Sequence, residues 1–126
     1  MKKILVVDDS ITIQKVITKF FLKRTSYKII TAEDGEIALD QVKNDPPDFI
    51  ILDIVLPRIN GIAFLRDLRK METTKNIPVI LISGEMVDEG IKKEGFALGA
   101  VDFIEKPMDM QYLLDKVNSF LSPENP

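Results

Sequence analysis

The sequence predicts an α/β protein of the doubly wound type, in which a parallel five-stranded sheet is built from five β-α units. The first reason is a set of short apolar runs, rich in valine, isoleucine and leucine, that recur along the 126 residues. These runs are continuous and do not alternate with polar residues, which is typical of strands that helices cover on both faces. The second reason is that the apolar period changes to that of a helix after each run.

Five segments have the composition of strands. They are residues 4–7, 27–30, 49–52, 79–82 and 101–104. The segment 27–30 reads Tyr-Lys-Ile-Ile and is more polar than the first, third and fourth runs. We therefore expect it at an edge of the sheet, where one side of the strand faces solvent.

Helices are expected after each strand. The helical pattern begins after Ser10, after Asp34-Gly35, after Asn60-Gly61, around Asp88 and at Met110. The fourth helix is the weakest, because Gly90 and Gly95 lower its helix propensity, and we expect it to be mobile. Gly99 is placed to end it in the left-handed conformation. Ser122-Pro123 ends the last helix, so the domain is expected to cover 1–122, with a C-terminal stub at 123–126.

The composition excludes several classes of site. The chain has no cysteine and no histidine, which rules out disulfides, ordinary zinc sites and catalytic pairs that need either residue. A net charge of −3 argues against a general nucleic-acid binder. No apolar stretch is long enough to cross a bilayer, so we expect a cytoplasmic protein without membrane contact. Carboxylates, hydroxyls and lysines remain as the available chemistry.

Polar side chains follow four of the five predicted strands, at the edge where open parallel sheets bind ligands. They are Asp8 and Asp9, then Asp53, then Ser83, then Lys106. Three carboxylates so close together repel one another unless a divalent cation lies among them, and oxygen ligands favour Mg²⁺ or a similar ion. A lysine and a hydroxyl bind the oxygens of a phosphoryl group. The layout predicts phosphoryl transfer to an aspartate.

Each of these residues also has a purely structural explanation. Asp-Asp-Ser after a strand is commonly a helix N-cap, and Asn60-Gly61 is a common turn. Ser83-Gly84 is an ordinary start of a loop, and Lys106-Pro107 is compatible with an exposed lysine before a rigid turn. The functional interpretation depends on all of them meeting at one edge of one sheet.

Four stretches together resemble the response regulator receiver family of two-component signalling. They are Ile-Leu-Val-Val-Asp-Asp-Ser at 4–10, Asp-Ile-Val-Leu-Pro-Arg-Ile-Asn-Gly at 53–61, Ser83, and Gly-Ala-Val-Asp-Phe-Ile-Glu-Lys-Pro at 99–107. The resemblance covers essentially the whole chain. It implies a flavodoxin-like three-layer sandwich with strand order 2-1-3-4-5.

The resemblance also implies a role for individual residues. Asp53 corresponds to the phosphoacceptor, and Ser83 and Lys106 to the pair that senses the phosphate. The implied ligands of Mg²⁺ (or Mn²⁺) are Asp9, Asp53 and the Val55 carbonyl, with Asp8 acting mainly through water. Phe103 corresponds to the aromatic residue that moves in the switch, and Lys106-Pro107 to a cis peptide bond.

Two variable positions of the family bear on the lifetime of the phosphoryl group. Val55 is apolar and cannot orient a hydrolytic water, and Glu85 is placed to screen one. We therefore expect slow self-dephosphorylation. We also expect the domain to catalyse only its own phosphoryl transfer, with no activity on a separate substrate. Gly84 stands where alanine is usual, which would loosen the loop after Ser83.

The implied partners are a sensor histidine kinase or a histidine phosphotransfer protein, since this chain has no histidine, and a downstream protein target. The target would bind the face formed by the fourth helix, fifth strand and fifth helix, and the domain would be a monomer or a phosphorylation-dependent dimer. Asn118 stands where DNA-binding regulators often have an arginine, which favours a single-domain regulator or relay. Lys15, Lys19 and Lys23 form a stripe that is either solvated or a contact for an acidic patch on the kinase.

Three other protein classes fit the sequence less well. A pseudo-receiver that acts only as an interaction module would be expected to lack an acidic residue or the lysine, and none is missing. An aspartyl-phosphate phosphatase would need a second aspartate at the position of Val55. A flavodoxin is disfavoured because aspartates occupy the first β-α turn, where a phosphate-binding loop is needed.

Overall fold

Five parallel strands form one sheet in the order β2-β1-β3-β4-β5, as expected. A computed structural model describes residues 1–84 and 87–122; Glu85 and the expected stub at 123–126 lie outside the described residues. The strands are β1 (Lys3–Val7), β2 (Lys28–Ala32), β3 (Phe49–Asp53), β4 (Val79–Ser83) and β5 (Asp102–Glu105). The helices are α1 (Ile11–Arg24), α2 (Gly35–Asn44), α3 (Gly61–Lys70), α4 (Glu89–Ala97) and α5 (Met110–Leu121).

The more polar strand β2 lies at an edge of the sheet, which confirms the prediction from its composition. It extends two residues beyond the predicted 27–30, because Thr31 and Ala32 pair with Val6 and Val7 of β1. Strand β5, at the other edge, is shifted by one residue and ends with Glu105 opposite Ser83. In both strands the pairing with the neighbouring strand, and not the apolar run, sets the end.

Alternate strand residues point into two separate apolar layers, which explains why the runs are continuous. Leu5, Leu52 and Leu81 pack against α2, α3 and α4 in one layer. Val6, Ile51 and Ile80 pack against α1 and α5 in the other. All six are almost completely buried. The arrangement is the three-layer sandwich that the resemblance implies.

Each helix begins at a side chain that caps it. Ser10, Asp34, Asn60, Asp88 and Asp109 each accept a hydrogen bond from a backbone N–H of the first turn. A polar residue directly before each helix therefore fixes where that helix begins. No helix within 1–84 and 87–122 has the length and apolar character needed to cross a bilayer.

The glycines of α4 differ in their role. Gly90 is exposed, but Gly95 is buried against the sheet, and a Cβ built on it would lie 2.5 Å from Leu81 Cδ1. The sequence indicated only that Gly95 weakens the helix, whereas in the fold it allows α4 to approach β4 closely. Gly99 ends the helix with φ +86°, as predicted. The mobility of α4 stays a prediction.

Candidate functional site

The predicted site residues meet at the carboxyl edge of the sheet. Asp53 is the last residue of β3 and pairs with Ile82, so Ser83 at the end of β4 lies one step further along the same edge. Both side chains are buried, with 4% of Asp53 and 1% of Ser83 exposed. Placing a charged residue at the end of a fully buried strand is what brings its carboxylate into a sheltered position.

Asp8 and Asp9, which follow β1, complete a cluster of three carboxylates. One oxygen from each of Asp8, Asp9 and Asp53 lies within 4.8 Å of the other two. Asp8 is fully buried, whereas Asp9 is exposed and forms the solvent side of the cluster. The prediction that three carboxylates converge is confirmed by this geometry.

Lys106 reaches into the cluster from the residue after β5. Its Nζ lies 2.9 Å from Asp53 Oδ2 and 2.8 Å from Asp8 Oδ2. Its backbone N–H donates to the Ser83 carbonyl over 2.8 Å, which continues the β4–β5 ladder and aims the side chain at the site. The Lys106-Pro107 peptide bond is cis, as the resemblance implied.

The ionisation of Asp53 and Lys106 follows from burial and from each other. Burial raises the pKa of Asp53, and repulsion from Asp8 adds to this effect. The hydrogen bonds that Asp53 accepts from Lys106 and from the Val55 N–H oppose the rise without cancelling it. Burial alone would lower the pKa of Lys106, but its bonds to Asp8 and Asp53 outweigh this and the pKa lies above its ordinary value. Lys106 is therefore positively charged at neutral pH.

The donor set fits a hard divalent cation. Three carboxylates and one ammonium leave a net charge of −2, which a divalent ion would balance. The ligand atoms are all oxygens, and the exposed Asp9 leaves a solvent side on which Mg²⁺ can keep some of its waters. The loop after Asp53 stays close to this carboxylate, since the Val55 N–H donates to Asp53 Oδ1 at 3.0 Å. The Val55 side chain itself is 45% exposed.

Phe103 lies on β5 opposite Leu81 and is partly buried against the layer of α2, α3 and α4. The ammonium of Lys92, on α4, lies 4.9 Å from the centre of its ring, a distance that allows a cation–π contact. Phe103 thus contacts the helix that follows the Ser83 loop. Its movement as a switch stays a prediction.

Three residues that shape the site were missed at the sequence level. Gly61 starts α3 against the backbone of Asp53: a Cβ built there would lie 2.3 Å from the Asp53 carbonyl oxygen. Arg58 adopts φ 68° and pairs with Glu36 of α2 over 3.2 Å, which holds the loop after β3. Gln14 is a buried amide below the Asp8-Asp9 loop. Of the three, only Gly61 had a sequence signal, the Asn60-Gly61 pair, and that signal indicated a turn and not a close contact with Asp53.

Known proteins share this architecture. A family model described as "Response regulator receiver domain" matches residues 4–118. The chain is 36% identical over 121 residues to the alkaline phosphatase synthesis transcriptional regulatory protein PhoP of Bacillus subtilis (strain 168), covering 95% of this chain and 48% of PhoP. It is 30% identical over 125 residues to the phosphate regulon transcriptional regulatory protein PhoB of Escherichia coli (strain K12), covering 99% of this chain and 54% of PhoB.

Among solved structures, the chemotaxis protein CheY4 of Vibrio cholerae matches with a TM-score of 0.85 and 32% identity, covering 96% of this chain and 99% of that one. The fold is therefore similar over nearly the whole length of both chains. The chain spans about half the length of the curated regulators PhoP and PhoB.

Proposed function

The chain belongs to the response regulator receiver family, and from this premise we propose that it accepts a phosphoryl group on Asp53 from a phosphohistidine of a partner. One observation carries the proposal. The Lys106 ammonium lies within 2.9 Å of both Asp53 and Asp8, and one oxygen of Asp9 lies within 4.8 Å of an oxygen of each of these two aspartates. Within the described residues, the acidic set and the lysine are complete, which favours a phosphoacceptor over a pseudo-receiver that only binds partners.

The reaction would be a displacement at phosphorus. A carboxylate oxygen of Asp53 forms the new P–O bond, the P–N bond of the phosphohistidine breaks, and its electron pair returns to the imidazole. Mg²⁺ or Mn²⁺ held by Asp9, Asp53 and the Val55 carbonyl, with Asp8 acting through water, would neutralise charge on the phosphoryl oxygens. Lys106 would move from Asp53 Oδ2 to a phosphoryl oxygen, and the Ser83 hydroxyl would donate to another.

The test is to add Mg²⁺ and acetyl phosphate and to measure the mass of the intact protein. The wild type should gain one phosphoryl group, and Asp53→Asn should gain none. Asp40→Asn is a matched control because Asp40 is an exposed aspartate on α2, and it should behave as the wild type. Phosphorylation of Asp53→Asn, or no mass change in the wild type, would contradict the proposal. The second result would favour the pseudo-receiver.

We propose that phosphorylation changes partner binding at the face formed by α4, β5 and α5. Phosphate bound by Ser83 and Lys106 would favour one of two arrangements of the Ser83 loop, α4 and Phe103. On this face Asp102 accepts a hydrogen bond from the Tyr112 hydroxyl, and the Lys116 Nζ lies 3.7 Å from Asp102 Oδ2. Asn118 is turned away and accepts a hydrogen bond from Tyr27 over 2.6 Å. We expect the recognised target to be a separate protein or another region of one polypeptide, because this chain spans only about half the length of PhoP and PhoB.

The donor would dock beside α1, where Lys15, Lys19 and Lys23 are exposed and no acidic residue interrupts the helix. An acidic patch on a kinase or a histidine phosphotransfer protein fits this charge. Charge reversal at Lys15 and Lys19 should slow transfer from the protein donor but not from acetyl phosphate. Lys43→Glu, an exposed lysine on α2, controls for net charge. If both rates fall together, the docking proposal fails.

We also propose that the domain catalyses only its own phosphorylation and a slow dephosphorylation. The side chain of Val55 is half exposed beside Asp53 and is apolar, so it cannot orient an attacking water. Val55→Asn should therefore shorten the lifetime of the phosphorylated protein, measured by mass after removal of acetyl phosphate. Equal lifetimes in the wild type and the variant would refute this explanation.

A further inference from the structure

Gln14 is a polar side chain that the fold buries next to the proposed cation site. It lies in the second turn of α1 and is 8% exposed. Its Nε2 donates a hydrogen bond of 2.7 Å to the main-chain oxygen of Asp8, and this bond is shielded from solvent. A buried hydrogen bond of this kind holds the carbonyl in a single direction, because losing the bond would leave a buried acceptor unpaired.

The carbonyl in question belongs to the peptide that joins Asp8 to Asp9. Strand β1 ends at Val7, so this peptide is the first one beyond the regular ladder. Asp8 is held by its other polar groups as well: its N–H donates to the Ala32 carbonyl at 3.0 Å, and its Oδ1 accepts from the Ser10 N–H at 2.8 Å. Since a peptide unit is planar, fixing its oxygen also fixes the direction in which Asp9 leaves it.

We propose that Gln14 is a positioning residue of the cation site, which holds the Asp8-Asp9 peptide so that both carboxylates face Asp53. The inference rests on the proposed function, since it assumes that these carboxylates bind Mg²⁺. Asp9 is exposed, and its direction therefore depends on the backbone that carries it. Groups that orient metal ligands typically change metal affinity by about 10- to 100-fold when they are removed.

The chain contains a matched control. Gln41, on α2, also donates its Nε2 to a backbone carbonyl, that of Thr31, at 3.3 Å. Thr31 belongs to the edge strand β2 and carries no carboxylate. Gln14→Met and Gln41→Met each remove one amide-to-carbonyl bond and keep a side chain of similar volume. A purely structural role predicts that the two variants differ from the wild type in the same property, the stability of the fold.

The experiment measures Mg²⁺ binding by isothermal titration calorimetry and urea unfolding without Mg²⁺ on the wild type and both variants. We expect Gln14→Met to raise the Kd for Mg²⁺ by about tenfold and Gln41→Met to leave it unchanged. Phosphorylation by acetyl phosphate should need correspondingly more Mg²⁺ in Gln14→Met but should reach the wild-type rate at saturation. If Gln14→Met does not fold, Gln14→Asn, whose amide is on a shorter stem, replaces it.

The outcomes separate the inference from the function on which it rests. If the wild type binds Mg²⁺ and Gln14→Met binds it equally well, the positioning role is wrong and the proposed function stands. If the wild type does not bind Mg²⁺, the proposed cation site fails and the inference fails with it. If both glutamine variants weaken Mg²⁺ binding in proportion to their loss of stability, Gln14 is only a structural residue.

Discussion

Replacing Asp53 by asparagine should make the metal-free protein more stable, although it removes an ion pair with lysine. The oxygens of Asp8 and Asp9 lie within 4.8 Å of an Asp53 oxygen. At an effective dielectric constant of about 20, each of these repulsions is worth about 3.5 kcal/mol. The attraction to Lys106 at 2.9 Å is worth about 6 kcal/mol on the same scale. The charge of Asp53 is therefore unfavourable by about 1 kcal/mol before its burial is counted.

Burial of the charged carboxylate adds to that cost, so we expect Asp53→Asn to raise the free energy of unfolding by about 1–3 kcal/mol at pH 7. Asparagine keeps an oxygen to accept the Val55 N–H, and Lys106 keeps its pair with Asp8. The assay is urea unfolding followed by circular dichroism without Mg²⁺, with the exposed Asp40→Asn as control. Added Mg²⁺ should stabilise the wild type more than Asp53→Asn, since a ligand that binds only the folded state shifts unfolding by mass action.

The pH dependence of this difference has a definite sign. Burial first, and then repulsion from Asp8, raise the pKa of Asp53 in the folded protein above its ordinary value of 3.8. The folded state then holds this proton more tightly than the unfolded state, so stability falls as pH rises through that interval. The advantage of Asp53→Asn should be complete at pH 7 and should shrink as pH falls through the folded pKa towards 3.8. A less stable Asp53→Asn at pH 7 without Mg²⁺, or an advantage that grows in acid, would refute the reasoning.

Three further experiments test packing in the fold by urea unfolding. Gly61→Ala should destabilise the fold by about 2 kcal/mol and weaken Mg²⁺ binding, because its Cβ would lie 2.3 Å from the Asp53 carbonyl oxygen. Gly90→Ala, in the exposed first turn of α4, should change stability by less than about 1 kcal/mol, because its Cβ would meet only the end of the Asp88 side chain at 3.2 Å. Equal losses in the two variants would contradict the packing argument. Arg58→Gly should be about 1 kcal/mol more stable than Arg58→Ala, because both lose the pair with α2 but only glycine relieves φ 68°; no difference would mean that the backbone is not strained there. Arg69→Met should cost about 3 kcal/mol, since the guanidinium donates to the carbonyls of residues 75, 77 and 98 within 3.1 Å; a loss below about 1 kcal/mol would show that water replaces these bonds.

The elements of the fold could be predicted because their signals are local. Continuous runs such as 49–52 exist because alternate residues of one strand face two apolar layers, and this requirement is visible without knowing which helix covers which face. The ends of β2 and β5 could not be predicted in the same way. Thr31 is polar, yet it belongs to β2 because its backbone pairs with Val6, a residue 25 positions away in the chain. Backbone hydrogen bonds between distant segments form whatever the side chains of the paired residues are, so composition does not reveal them.

By itself, the sequence determined the chemical inventory and its order: carboxylates after two buried runs, a hydroxyl after a third and a lysine after a fourth, with no histidine or cysteine to compete. Only the tertiary structure decided the distances, because Lys106 and Asp53 are 53 residues apart and meet through strand pairing. The same holds for Gly61 and Gln14, whose importance lies in the backbone atoms they face across the fold. The residue type determines which chemistry a side chain can perform. Its neighbours in space are determined by how separate segments pack, and packing depends on the whole chain at once.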